Sequence, residues 1–252
     1  MRRMNTSSTA WACLLIATFL VAGLVKGVTG MGLPTVAMGV LATTLPPAAA
    51  AALLVVPTFV TNVWQMLGGT GMRPLLRRLW AMMLCVVAGT FLGTRLLVSI
   101  DPAWSARLLG LALLGYALHA LLAPALSVPA RLESRLSPLI GLATGLLAGA
   151  TGIFTVPAVP YLQALGLQKE DLVQALGLSF TVSTSALASG LFVHDALAMD
   201  QLGLSLLALI PALAGMWLGT RIRHRISPAT FRRCFLLLLM LLGLEQVLRS
   251  LF

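Results

Sequence analysis

Charge is scarce in this chain. Asp, Glu, Lys and Arg make up 10% of its 252 residues, and only seven of them are acidic. A soluble domain carries about 25% charged residues. With 59% hydrophobic residues and a mean hydropathy of +0.97, the chain has too little polar surface to face water all round. A disordered chain is excluded as well, since disorder needs low hydrophobicity and high charge. Cysteine is equally sparse. Cys13, Cys85 and Cys234 each lie in an apolar segment, which excludes a disulfide scaffold. His119, His194 and His224 stand apart from one another, and no His/Cys/Asp group has metal-ligand spacing. No serine motif comes with a plausible His and acid partner, and no Walker A loop is present. The sequence therefore offers no catalytic residue, no metal site and no cofactor. Its net charge of +10 raises nucleic acid as a partner. A nucleic-acid surface needs basic residues interleaved with aromatics on one face, and none exists here. Basic loops beside apolar spans are instead the usual inner face of a membrane protein. What remains is an all-α integral membrane protein with the lipid bilayer as its partner.

Long uncharged runs fill the space that charge vacates. Positions 27–72 and 136–168 contain no charged residue and no histidine. Arg2 and Arg3 ahead of an apolar run at 9–25 resemble a signal peptide. The same stretch recurs later in the chain, so it is assigned to the mature fold.

That recurrence is the most informative feature. Gly23-Leu-Val-Lys-Gly-Val-Thr-Gly30 matches Gly145-Leu-Leu-Ala-Gly-Ala-Thr-Gly152, 122 positions on. Leu92-Gly-Thr-Arg95 matches Leu218-Gly-Thr-Arg221, 126 positions on. Single small-xxx-small patterns usually mark close helix packing. Two separate motifs in one order at nearly one offset divide the chain into halves, 1–125 and 126–252. The joining segment at 124–135 holds two prolines and three charges.

Each half begins with an interrupted apolar run. Thr29–Gly32 and Thr151–Thr155 are rich in Gly and Thr, and Pro34 and Pro157 come after them. Glycine weakens a helix, and proline suits the first turn of a new one. The pieces at 138–149 and 156–165 are too short to cross a hydrocarbon core of about 30 Å, which predicts a broken or re-entrant pair in each half. Three transmembrane helices come next in each half: 47–67, 79–98 and 103–123, then 172–193, 201–220 and 231–248. Loop charges set the sides. Arg73, Arg77 and Arg78 mark one loop as cytoplasmic, and Arg221, Arg223, Arg225, Arg232 and Arg233 mark another. The loop at 194–200 has two Asp and no Lys or Arg, so it faces outward. The loops at 73–78 and 194–200 are repeat equivalents on opposite sides, which predicts an inverted repeat.

A broken helix exposes unpaired N–H groups and a partial positive charge where the returning piece begins. Two breaks meeting near the midplane would attract an anion without many charged side chains. Gly30, Gly32 and Gly152 let an anion approach the backbone, and Thr29, Thr151 and Thr155 bring hydroxyls to the breaks. The other reading is that these residues only allow tight packing. Lys26 is the one charge between Arg3 and Arg73, and its repeat equivalent is Ala148. It is either the cation that holds the anion or a side chain snorkelling to an interface. Thr58, Thr61, Asn62 and Gln65 share one helix face, with Ser183 and Thr184 as the repeat equivalents of Thr61 and Asn62. They line a cavity or they join helices. Glu245 and Arg249 stand at i and i+4, as a helix-surface pair.

The segment Val25-Lys-Gly-Val-Thr-Gly-Met-Gly-Leu-Pro34, its echo Ala148-Gly-Ala-Thr-Gly-Ile-Phe-Thr-Val-Pro157 and the two-fold hydrophobic plan resemble the sulfite exporter TauE/SafE family of membrane permeases. The resemblance covers nearly the whole chain. It implies a secondary transporter of the bacterial inner (plasma) membrane, multi-pass, with a homo-oligomer as a candidate assembly. The implied substrates are sulfite, sulfonates and related small sulfur-containing anions. A passive anion channel of the same fold and a non-transporting membrane scaffold are the alternatives.

Overall fold

The computed structural model describes residues 3–69, 71–122, 127–197, 199–223 and 228–249. Arg2, Pro124, His224 and Arg225 lie outside the described residues. Within them the fold is all helical: α1 (Arg3–Thr29), α2 (Leu33–Leu41), α3 (Pro47–Leu67), α4 (Met72–Ser99), α5 (Pro102–Leu122), α6 (Ala130–Thr151), α7 (Ala158–Ala164), α8 (Lys169–Val193), α9 (Met199–Ile222) and α10 (Pro228–Arg249). Six helices are long and apolar enough to cross a bilayer: α3, α4, α5, α8, and the Ala10–Thr29 and Gln201–Ile222 parts of α1 and α9. The chain is a multi-pass membrane protein in which leucines such as Leu206, Leu207 and Leu241 are left for lipid.

The interrupted pairs are α1/α2 and α6/α7. Their short members have nine and seven residues, about 14 and 10 Å of helix, too little to cross. The piece expected at 138–149 is longer than the sequence suggested. α6 starts at Ala130 and continues through Pro138 for 22 residues, about 33 Å. Its first turns hold Arg131, Glu133 and Arg135, charges that masked the helix start in a purely apolar reading.

Two glycine seams join distant parts of the chain. Along α1 and α9, a Cβ on Gly23 would strike the Ala212 carbonyl, and one on Gly27 the Met216 carbonyl. Gly215 and Gly219 sit as tightly against the Leu20 and Leu24 carbonyls. Along α4 and α6, Gly141, Gly145 and Gly149 lie on the Met82, Val86 and Thr90 carbonyls, and Gly89 and Gly93 on Leu142 and Leu146. Residue numbers rise together along both seams, so each pair is parallel. Such close backbone approach gives the dispersion contacts that hold helices together in lipid. The repeated Gly-x-x-x-Gly of one half thus packs on the repeated Leu-Gly-Thr-Arg of the other.

The centre is α3 against α8. Gln174 of α8 is buried and holds the turn after α3: its amide donates to the carbonyls of Met66 (2.8 Å) and Gly69 (3.0 Å) and accepts from the Gly71 N–H (3.0 Å). Gly177 lies against Met66. Residue 69 beside 174 and 66 beside 177 make α3 and α8 antiparallel. Contacts of Gly110 with Val247 and of Gly243 with Leu114 make α5 and α10 antiparallel too. Pro57 interrupts α3 and removes the donor for the Leu53 carbonyl. Ser205 of α9 repairs this, donating to Leu53 O (2.8 Å) and accepting from Val56 N–H (3.1 Å). A freed backbone group at membrane depth needs such a substitute. At the end where α4 begins, Arg78 forms a two-pronged ion pair with Glu133 of α6 at 2.6 and 2.8 Å.

The seams generate a stability prediction. Gly27→Val and Gly149→Val force carbonyl-bearing backbone apart and should lower the thermal melting temperature of the purified protein sharply or prevent its recovery as a monodisperse species. Gly115→Ala and Gly203→Ala face open space and should leave melting within a few degrees of wild type. Size-exclusion melting curves in detergent read both; equal loss at all four sites would show that the seams are not special.

Candidate functional site at two helix breaks

Both breaks are built the same way. α1 ends when Gly30 takes φ +77°, and α6 ends when Gly152 takes φ +72°, a region costly for residues with a Cβ. The Gly30 N–H donates to Lys26 O (2.7 Å), and the Gly152 N–H to Ala148 O (2.8 Å). The threonine before each glycine locks the turn. Thr29 Oγ1 donates to Val25 O (2.9 Å) or Met31 O (2.7 Å) and accepts from Met31 N–H (3.2 Å). Thr151 Oγ1 donates to Leu147 O (2.6 Å) and accepts from Ile153 N–H (3.3 Å). The sequence leaves two readings for these residues, donors to an anion or tight packing at the breaks. Their single hydroxyl protons are engaged with backbone carbonyls, so in this state they close the breaks.

Beyond the turns the two breaks diverge. Gly32, at φ +94°, sits at the start of α2, where Pro34 occupies the first turn. After Gly152 the chain is non-helical as far as Pro157, which precedes α7. Thr155 in that stretch is buried, and its hydroxyl has no partner among the described residues. The second break reaches the first: Gly152 lies against the Met38 side chain of α2, where a Cβ would stand 3.0 Å from Sδ. Met38 is six residues, about 9 Å of helix, beyond Gly32.

Lys26 is 3% exposed in the last turn of α1, and Asn62 of α3 is fully buried. The ammonium donates to Asn62 Oδ1. The Asn62 amide nitrogen has no partner among the described residues. Two candidates from different parts of the sequence therefore meet, and both keep unused donors. Thr61 hydrogen-bonds its own helix at Pro57 O (2.7 Å), and Thr184 does so at Phe180 O (2.7 Å). Ser183 is buried, and its hydroxyl has no partner among the described residues. Extending the antiparallel register from Met66/Gly177 brings Ser183 level with the Thr58–Asn62 turn. Gln65 donates to Val173 O at 3.0 Å and so serves the α3–α8 contact rather than the polar centre.

Sequence reasoning did not single out Thr35 of α2 or Ser179 of α8. Both are fully buried, and like Thr58 their hydroxyls lack partners among the described residues. Ser179 stands four residues before Ser183, so helical spacing was the available signal. Thr35 had none, because a lone threonine after Gly-Leu-Pro looks like any turn residue. Unpaired buried donors are costly unless water or a ligand reaches them. The chemistry on offer is that of hydrogen-bond donors around one cation, which can hold an anion. The expected Glu245–Arg249 pair does not form. Arg249 donates to the Thr43 carbonyl, and Glu245 Oε2 is buried without a partner among the described residues.

The surroundings of the two breaks separate two substitutions. Asn visits the left-handed region more readily than other side chains. Gly30 faces open space, whereas Gly152 faces Met38. Gly30→Asn should fold with near-normal yield, and Gly152→Asn should destabilise by about 1–3 kcal/mol through overpacking. Thermal melting checks the order, and Gly152→Asn melting at or above Gly30→Asn contradicts it.

No curated protein and no solved structure matches the chain. A family model does: that of the sulfite exporter TauE/SafE, over residues 15–245. The match takes in both breaks, both glycine seams and the Lys26–Asn62 pair, and spans nearly the whole chain; the protein belongs to the sulfite exporter TauE/SafE family.

Proposed function

We propose that the protein is a secondary permease that moves a small anion across the bacterial inner membrane. The anion is sulfite, a sulfonate or a related organosulfur anion, and its site lies between the two breaks. The observation that carries this reading is the buried Lys26 ammonium. Its one described partner is the neutral Asn62, whose amide donor is also free. A cation so placed calls for an anion. The donors that complete the site are Lys26, Asn62, Ser183, Thr155 and the backbone around Gly30, Gly32 and Gly152, with Thr29, Thr151, Thr61 and Thr184 setting the local backbone. The family's implied substrates fit this donor set.

We further infer that 1–125 and 126–252 are inverted repeats. α3 and α8 occupy equivalent places and run antiparallel, as do α5 and α10. Inverted halves support alternating access, in which one site opens to each side in turn. Residues 73–78, expected as a loop, are the first turns of α4; in this arrangement that end of α4, with Arg77, and the turn at Asp195 face opposite sides, with the Arg77 side cytoplasmic. Single-cysteine labelling with an impermeant reagent should give opposite accessibility at residues 77 and 195; the same side for both would refute the inversion.

Reconstituted protein loaded with unlabelled sulfite or methanesulfonate should take up the labelled anion transiently above equilibrium. That overshoot is expected of a carrier and absent from a channel or a scaffold. Lys26→Ala should abolish it at unchanged protein abundance, while Lys26→Arg should restore it in part, since the two cations differ in shape and hydration. Unaltered counterflow in Lys26→Ala would remove Lys26 from the site.

A further inference from the structure

We propose that Lys26 carries the proton of the transport cycle. Its amine is protonated while an anion lies against it and gives the proton up before the empty protein changes face, so one proton travels with each monoanion. The proposal rests on the permease reading above and adds the coupling ion to it.

The chain has seven carboxylates, Asp101, Glu133, Glu170, Asp171, Asp195, Asp200 and Glu245. Asp101 and Asp195 lie in turns, and Glu133, Glu170 and Asp171 in first turns of helices. Asp200 is the second residue of α9, and Glu245 stands four residues from the end of α10. None occupies the middle of a spanning helix. Lys26 is nevertheless buried, and the repeat offers Ala148 rather than an acid at the equivalent place.

The groups that face Lys26 from neighbouring elements give the same answer. α2 and α3 hold no charged residue and no histidine. α9 brings Arg221, one residue beyond the Thr220 nitrogen that packs on Gly27. Arg221 is exposed and lies over the Trp217 ring at 4.7 Å, turned away from the interior. α10 touches Gly32 through Phe235 and carries an exposed Arg233 nearby. Its Glu245 is ten residues beyond Phe235, about 15 Å of helix. In the first turn of α8, Asp171 lies against Gly71, beyond the end of α3. The charge on Lys26 therefore has no fixed counter-ion among the described residues.

Two states of the carrier result. With an anion bound, the ammonium and the anion neutralise each other. Without it, the protein would have to change face with a lone cation buried, a desolvation cost that releasing the proton avoids. Asn62 suits both forms, because a neutral carbonyl oxygen accepts from an ammonium or from an amine. The proton comes from the solution on the side where the anion enters and is released to the solution where the anion leaves. No bond other than N–H is made or broken.

The test uses the full-length protein in proteoliposomes and methanesulfonate, an anion with no proton to carry near neutral pH. Potassium and valinomycin hold the membrane potential at zero. With the outside one pH unit more acidic, wild-type protein should concentrate methanesulfonate about tenfold inside, the ratio that one proton per anion sets. A protonophore should return the ratio to one. Lys26→Arg keeps its charge at all pH values. Its counterflow should fall without vanishing, and its final ratio should stay at one, since that ratio does not depend on rate. Asn62→Asp supplies a fixed carboxylate, so it should also lose the tenfold ratio. Wild-type counterflow with a ratio of one overturns the coupling and leaves the permease standing; no counterflow overturns both. A tenfold ratio in Lys26→Arg, or its loss in Glu245→Gln alone, assigns the proton elsewhere and overturns the role of Lys26.

Discussion

The close approach of backbone to backbone along the two glycine seams is what the rest of the structure depends on. Lipid gives helices no hydrophobic reason to associate, so contact must come from packing and hydrogen bonds. At Gly23, Gly27, Gly215 and Gly219, and again at Gly89, Gly93, Gly141, Gly145 and Gly149, the carbonyls of one helix lie where a Cβ would be. Each seam ties a helix of the first half to a helix of the second. α1 and α6 therefore arrive at their breaks already clamped, by α9 and α4 respectively. Gly27 and Gly149 lie three residues before the left-handed Gly30 and Gly152. The repeated motif thus does two jobs in eight residues: its first two glycines make the seam, and its last ends the helix.

Clamping at one end holds the irregular backbone of each break inside the protein. Non-helical chain is tolerated there only when protein or a wet cavity satisfies its polar groups. Threonine hydroxyls close each break from within. Ser205 fills the gap that Pro57 opens in α3, and Gln174 holds the turn beyond α3 with three hydrogen bonds. Against this careful satisfaction, the unpaired hydroxyls of Thr35, Thr58, Thr155, Ser179 and Ser183 and the free Asn62 amide stand out. These lie on α2, α3, α8 and the second break; Thr18 of α1, Ser105 of α5 and Thr144 of α6 also lack a partner among the described residues.

Asymmetry between the halves has a chemical meaning. The breaks are near-copies down to the threonine hydrogen bonds, yet Lys26 answers to Ala148 and Asn62 to Thr184. The cation and the amide that meet in the first half have no identical counterparts in the second. A second lysine at 148 would place two like charges in one apolar interior, with no acid on any neighbouring span to offset them.

Much of this was legible without coordinates. Hydropathy and scarce charge fixed the membrane class and five of the six spanning helices, because a hydrocarbon core about 30 Å thick dictates runs of about 20 apolar residues; the expected span at 231–248 is not among the six, and Ala10–Thr29, read as part of a broken pair, is long enough to cross. The repeat pointed to both breaks, since a helix ends where glycine turns left-handed, and that preference belongs to the residue itself. Lys26 and Asn62 were each visible as polar residues in apolar segments. Their meeting was not, because a hydrogen bond across 36 positions depends on how α1 and α3 pack. The start of α6 was hidden as well, since an amphipathic first turn with Arg131, Glu133 and Arg135 carries no apolar signal. So were the partners of the repeated glycines. A small-xxx-small stripe says that something comes close, and only the tertiary structure decides what, because any helix with a matching groove satisfies the same local chemistry. The roles of Thr29 and Thr151 turned on the same limit: a hydroxyl has one proton, and the geometry of the turn around it determines where that proton goes.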